Sequence, residues 1–227
     1  MIARVAALLL LGITAQAAEP VLVPQIQGEW WQVAGDPDLG KLTTPKQQPV
    51  DFAIWQAADG AWQLWSCIRG TACRGRTRLF YRWQGARLSD RDWAPMGIAM
   101  QAYPGFGETP GGLQAPFVLK VSREYFMFYG DWENICLAKG VDGKTFARQL
   151  GEAGKSGMFS EGAGNNTRDP MVLRVGNRYH IYYTASPTSR ARCMRGLPGT
   201  CGIGAPGGWR PSAGRRPGPA CTVRRTR

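Results

Sequence analysis

The chain contains one histidine, His180, and its six cysteines include no Cys-x-x-Cys pair. Zinc sites draw on clustered Cys and His ligands, so neither a zinc site nor any other metal is expected. No glycine-rich loop opens a helix after a strand, which removes the usual nucleotide cradles and, with them, any expected cofactor. Past the first 18 residues no apolar run is long enough to cross a bilayer, and no 3.6-residue amphipathic pattern is sustained. Membrane-spanning and helical-bundle architectures are therefore not expected. Between Thr188 and Arg227 the chain has no Lys, Asp or Glu, yet it has nine arginines. Those nine supply most of the net charge of +12, because the remainder carries 19 basic against 16 acidic residues. A nucleic-acid surface needs its basic residues on a folded face or a functional arm. The body is nearly balanced, so no nucleic-acid partner is expected.

What is present begins with an export pattern. Met1–Arg4 gives a positive start, Val5–Ile13 is apolar, and Ala15-Gln16-Ala17 supplies small residues for cleavage. Residues 1–18 read as a signal peptide, and the expected location is secreted or periplasmic, with no membrane association after cleavage. At the other end, residues 188–227 form a basic, low-complexity tail holding three of the six cysteines. It reads either as a disordered arm or as translation that has left its original frame. Cys193–Gly204 admits codons whose neighbouring frame encodes a polar hairpin, which favours the second reading.

Between these segments, over 19–187, three stretches share one pattern. Val50–Trp55 leads to Trp62–Trp65, Ala115–Lys120 to Tyr125–Tyr129, and Asp169–Arg174 to Tyr179–Tyr183. Each is a β-rich run, a turn, and an aromatic and β-branched run; the turns Asp59-Gly60, Ser122-Arg123 and Gly176-Asn177 suit tight hairpins. Weaker outer hairpins follow, Leu79–Trp83 with Asp92-Trp93 and Ile135–Ala138 with Asp142–Phe146. Four strands every 50 to 60 residues is the pattern of propeller blades, with a β-sandwich as the alternative. The expected fold is all-β, of the five-bladed β-propeller type, with about two and a half blades present. Blade one covers 50–100, blade two 114–160, and blade three starts at 168. A partial ring leaves sheet edges and apolar faces open, so this chain is expected to be poorly stable by itself, and otherwise monomeric.

The order Val50-Asp51, Gln114-Ala115-Pro116, Gly130-Asp131-Trp132 and Arg168-Asp169-Pro170-Met171 resembles the family 43 and family 32 glycoside hydrolases, over about residues 45–187. The resemblance implies a carbohydrate substrate and carboxylates converging on an axial pocket from the first strand of successive blades. It makes Asp51 the nucleophile or general base, and Asp169 the carboxylate that stabilises the transition state or tunes the acid. Glycosidic cleavage needs one carboxyl to protonate the leaving oxygen and another on the opposite side. Glu161 is the candidate acid, or else a loop residue contacting substrate. Arg168, Gln114, Asp131, Trp132 and Asn166 are candidate substrate contacts: Arg168 by gripping a hydroxyl or carboxylate, Trp132 by offering a ring face. Phe117 stands where family 43 sequences often place an acid. Asn165-Asn166-Thr167 is also a formal glycosylation acceptor. Cys67 and Cys73 are close enough along the chain for a disulfide, and Cys136 reads as core. The expected function is a glycosidase acting on oligo- or polysaccharides, incomplete or inactive as this chain. The alternatives are a non-catalytic carbohydrate-binding propeller and a basic protein that binds nucleic acid through its tail.

Overall fold

The computed structural model describes residues 23–176, 178–186 and the backbone of 192–195. The expected signal peptide and nearly all of the basic tail lie outside these residues. Two units separate at Trp31. The described part of the first, residues 23–31, contains no helix or strand.

The second unit consists of antiparallel sheets laid down in chain order. β1 (Gln48–Gln56), β2 (Trp62–Arg69), β3 (Leu79–Gly85) and β4 (Ala94–Met100) form a four-stranded meander. In the second sheet β5 (Gln114–Val121), β6 (Glu124–Gly130) and β7 (Ile135–Gly140) follow one another. Two short strands, β8 (Ala147–Arg148) and β9 (Gly157–Phe159), pair with the outer edge of β7. β10 (Arg168–Val175), β11 (Arg178–Ala185) and β12 (Arg192–Arg195) make the third sheet, so strand pairing continues beyond residue 187.

Burial of β6 separates a propeller from a sandwich. All but the first of its residues are buried, which a strand achieves only when both its faces are covered. Tyr125, Met127 and Tyr129 enter one core with Trp55, Trp65, Cys67 and Phe80 of the first sheet. Phe126 and Phe128, pointing the other way, join Val172, Tyr179 and Ile181 of the third. Alternate residues of one strand thus hold two different sheets, the stacking of successive blades. A fully buried aromatic contributes on the order of 2 kcal/mol, and polar clasps fix the register of the first contact. The Trp55 indole donates to the Gly143 carbonyl at 2.7 Å, and the Tyr125 hydroxyl to the Gln56 carbonyl at 3.0 Å. The first strands of the sheets also neighbour one another, β5 lying beside both β1 and β10.

Local details depart from expectation in three places. Trp93 precedes β4 and is buried on the far face of the first sheet, where its indole donates to Asp90. Asp142–Phe146 is a turn: the Asp142 carboxylate accepts the Lys144 and Thr145 amides, both at 2.8 Å, and the outer strand begins only at Ala147. Cys67 and Cys73 form no disulfide. Cys67 is fully buried on β2, whereas the Cys73 sulfur faces the Thr71 hydroxyl inside its own loop. Cys136 is core, as its apolar strand suggested.

Candidate axial site

Each first strand carries an irregularity at its starting end. Register shifts occur between Val50 and Phe52, between Gln114 and Phe117, and between Arg168 and Met171. One residue in each irregularity has positive φ: Asp51 at 32°, Ala115 at 42° and Asp169 at 55°. A bulge inserts one residue, bends the strand and re-aims a side chain. Left-handed backbone at a residue with a Cβ costs roughly 1–2 kcal/mol, so three such positions at equivalent points of the three sheets mark a repeated device. Two of the three present a carboxylate; the middle one presents a methyl group.

Asp51 is exposed and Asp169 half-buried. Burial raises Asp169 above the ordinary carboxylate value against the pull of the neighbouring Arg168 cation, and the negative charge of Asp51 pushes it up further. The two carboxylates therefore share one electrostatic field, although 118 positions separate them in the chain. The Arg168 guanidinium lies 3.1 Å from the Asp169 carboxylate, and the Thr184 hydroxyl is a further partner. Gly130 explains how the third sheet comes so near: a Cβ there would stand 3.0 Å from the Arg168 Cα.

The remaining candidates occupy different surroundings. Glu161 is half-buried and accepts the Tyr183 hydroxyl, while its own amide donates to the Thr167 hydroxyl. Burial and the Glu161 contact both push the Tyr183 phenol up. Asp131 is fully buried and accepts the Glu133 and Asn134 amides and the Asn134 side chain, so its carboxylate organises its own turn. Burial raises it above the ordinary value, against those bonds. Gln114 and Asn166 each hold a buried carbonyl oxygen without a hydrogen-bond partner. Trp132, at φ 84°, pairs in an isolated bridge with Thr167, next to Arg168. Its ring carries two guanidinium groups, Arg76 at 4.3 Å and Arg78 at 5.1 Å from the centroid.

Arg76 and Arg78 were not singled out from the sequence, although Arg69–Arg78 holds four arginines in ten residues and no acid. Their loop joins β2 to β3, at the end where Cys67 pairs with Val50. The Cys67 thiol, raised to about 12 by burial, lies within the electrostatic reach of both Arg78 and Asp51. Glu108 was also missed. It has no exposed side-chain surface and pairs with Arg148 through both oxygens, at 2.8 and 2.9 Å, while accepting the Tyr129 hydroxyl and the Tyr103 amide. That pair lies in the packing between the first two sheets and acts as structure. Among the described residues no cluster of His, Cys, Asp and Glu suits a metal ion.

No family model matches the chain, and no curated protein does. Solved structures do. The chain is similar to a family 117 glycoside hydrolase produced by the marine bacterium Zobellia galactanivorans, with a TM-score of 0.51 and 14% identity over 73% of this chain and 56% of that one. The fold is that of a propeller glycoside hydrolase. Other similar structures are a thermostable family-43 glycoside hydrolase (TM-score 0.45, 19% identity, 62% of this chain and 42% of that one) and the alpha-L-arabinanase of Cellvibrio cellulosa (TM-score 0.45, 16% identity, 64% and 50%). The chain spans about half the length of the solved structures it matches. In propeller terms β1, β5 and β10, which neighbour one another, are the innermost strands of successive blades, and Asp51, Ala115 and Asp169 occupy equivalent positions at their starting ends.

Proposed function

We propose that this chain is a glycoside-hydrolase-type propeller whose axial carboxylates Asp51 and Asp169 act on a glycosidic bond. The observation that carries this reading is the pair of carboxylates at equivalent strand bulges of two different blades, close enough to perturb one another. Hydrolysis of an acetal needs a proton for the leaving oxygen and a carboxylate for the opposite side of the sugar. Asp169, biased by desolvation toward its protonated form, is the proton donor. Asp51, exposed and in no ion pair among the described residues, is the nucleophile or base. Glu161, held as an acceptor by Tyr183, keeps the loop before β10 in place. The reaction takes place outside the cytoplasm, after loss of residues 1–18.

The test is reducing-sugar release from a panel of neutral and acidic oligosaccharides, together with aryl glycosides of graded leaving group. Asp51→Asn lowers kcat on every substrate by roughly 10²- to 10⁴-fold. Asp169→Asn loses comparably on alkyl glycosides and much less on dinitrophenyl glycosides, whose leaving group needs no proton. Equal losses on both would reject the donor role. Ala115, standing where a third carboxylate would complete the ring of bulges, favours a second reading: a binding propeller without turnover. Glycan binding with no product from any substrate, unaffected by Asp51→Asn, selects it.

A further inference from the structure

Arg76 and Arg78 stand apart from the other cations at this end of the propeller. Arg168 has Asp169 as its partner, and Arg69 is held by the Gln48 side chain at 2.6 and 3.0 Å. Among the described residues neither Arg76 nor Arg78 lies in a salt bridge. Both nevertheless occupy defined positions over one indole ring. Cation–π contacts of this kind orient a guanidinium without neutralising it. Two like charges on a single ring repel, and an anion held between them relieves the repulsion.

Their backbone is held as firmly. The Arg76 amide donates to the Pro110 carbonyl and the Arg78 amide to the Gly111 carbonyl, each at 2.9 Å. Thr77 between them has φ 60°, which sends successive side chains in directions that a regular strand would not. Arg76 is exposed and Arg78 half-buried, so their donors remain available from the solvent side. Trp132, the ring beneath them, bridges to Thr167, one residue before Arg168. Two oriented guanidinium groups, in no salt bridge among the described residues, therefore stand at the same end of the blades as Asp51 and Asp169, with the Cys67 thiol as a further neighbour of Arg78.

We infer that the sugar bound at the axial site is anionic, its carboxylate or sulfate ester read by Arg76 and Arg78 on the Trp132 platform. The inference rests on the proposed glycoside-hydrolase reading and names its substrate class. Planar guanidinium donors match a carboxylate or a sulfate with paired hydrogen bonds. They also offset the repulsion that Asp51 exerts on any incoming anion.

Isothermal titration of the full chain with three hexasaccharides, an oligouronate, a sulfated galactan and a neutral xylan fragment, tests it. One of the anionic hexamers binds at least tenfold tighter than the neutral one at 50 mM salt, and the preference shrinks at 300 mM. Which of the two binds separates a uronate reader from a sulfate reader. Replacing both arginines, Arg76→Gln with Arg78→Gln, brings the anionic-to-neutral ratio to near one. Arg76→Lys with Arg78→Lys retains the salt dependence but loses most of the preference, and circular dichroism confirms that both variants fold. Equal binding of neutral and anionic hexamers, or a preference untouched in the glutamine variant, overturns the inference and leaves the hydrolase reading standing. Absence of binding to all three hexamers overturns both.

Discussion

Asp169 carries two costs in the folded protein, a left-handed backbone and a partly desolvated carboxyl, and both can be tested by one substitution. The folded carboxyl holds its proton more tightly than the unfolded one, whose value is about 3.9. Its contribution to stability is therefore fully present below that pH and is lost as pH rises through the raised folded value. Asp169→Asn removes the titration, and asparagine tolerates φ near 55°. Thermal melts from pH 3 to 7 are expected to show the variant gaining on the parent as pH rises, while its activity falls. A variant that loses stability at neutral pH would mean that the bond with Arg168 outweighs desolvation. The equivalent positions of Asp51 and Asp169 were legible in the sequence because each opens a repeated hairpin motif. The acceptor role of Glu161 toward Tyr183 was not, since those residues are 22 positions apart and meet only when β11 pairs with β10. Glu108 was invisible for a related reason. An acid among Gly, Thr and Pro reads as solvent-facing until Arg148, 40 positions later, folds onto it.

At the scale of elements, the repeated β-rich and aromatic runs revealed the inner hairpins, whereas the outer strands β4 and β8 begin later than expected. Those runs could not reveal the bulges, because an inserted residue changes register without changing composition. The bulges are what set Asp51, Ala115 and Asp169 apart from the regular strand, each with a positive φ at a register shift. The arginine loop depends on a comparable long-range device. Gly75 sits at φ 78° with its Cα against the Pro110 carbonyl, so that a Cβ would lie 2.1 Å from that oxygen. Gly75→Ala must push the 70–78 loop away from the 107–112 loop and break the Arg76 and Arg78 amide bonds to it. The left-handed backbone alone costs about 1 kcal/mol or more, and the lost contact adds to it. Urea denaturation should show a loss of at least about 2 kcal/mol. Any preference for anionic glycans should fall with it, because the guanidinium groups leave the Trp132 ring. Unchanged stability would show that the two loops separate at little cost.

For the whole molecule, the order of blades was legible because each repeat buries an aromatic face that no single hairpin can cover. Coverage is uneven across the three innermost strands. β5, between two neighbours, has a single exposed residue, whereas β1 exposes Phe52 and Ile54 and β10 exposes Met171, Leu173 and Val175. On β10 these three alternate with Val172, which is buried against the second blade, so they form one continuous apolar face. Phe52 is 64% exposed and Val175 54%. Apolar faces of this kind bind hydrophobic dyes and promote association. The purified chain is expected to enhance anilinonaphthalene sulfonate fluorescence in its native state and to sediment with a mass that rises with concentration. Phe52→Glu combined with Leu173→Lys should lower both signals without lowering the melting temperature, since neither side chain is buried. Dye binding that persists in the double variant would place the accessible apolar surface elsewhere. A concentration-independent monomer with no dye response would show that β1 and β10 are covered in solution, and the uneven exposure of the inner strands would then lose its consequence for association.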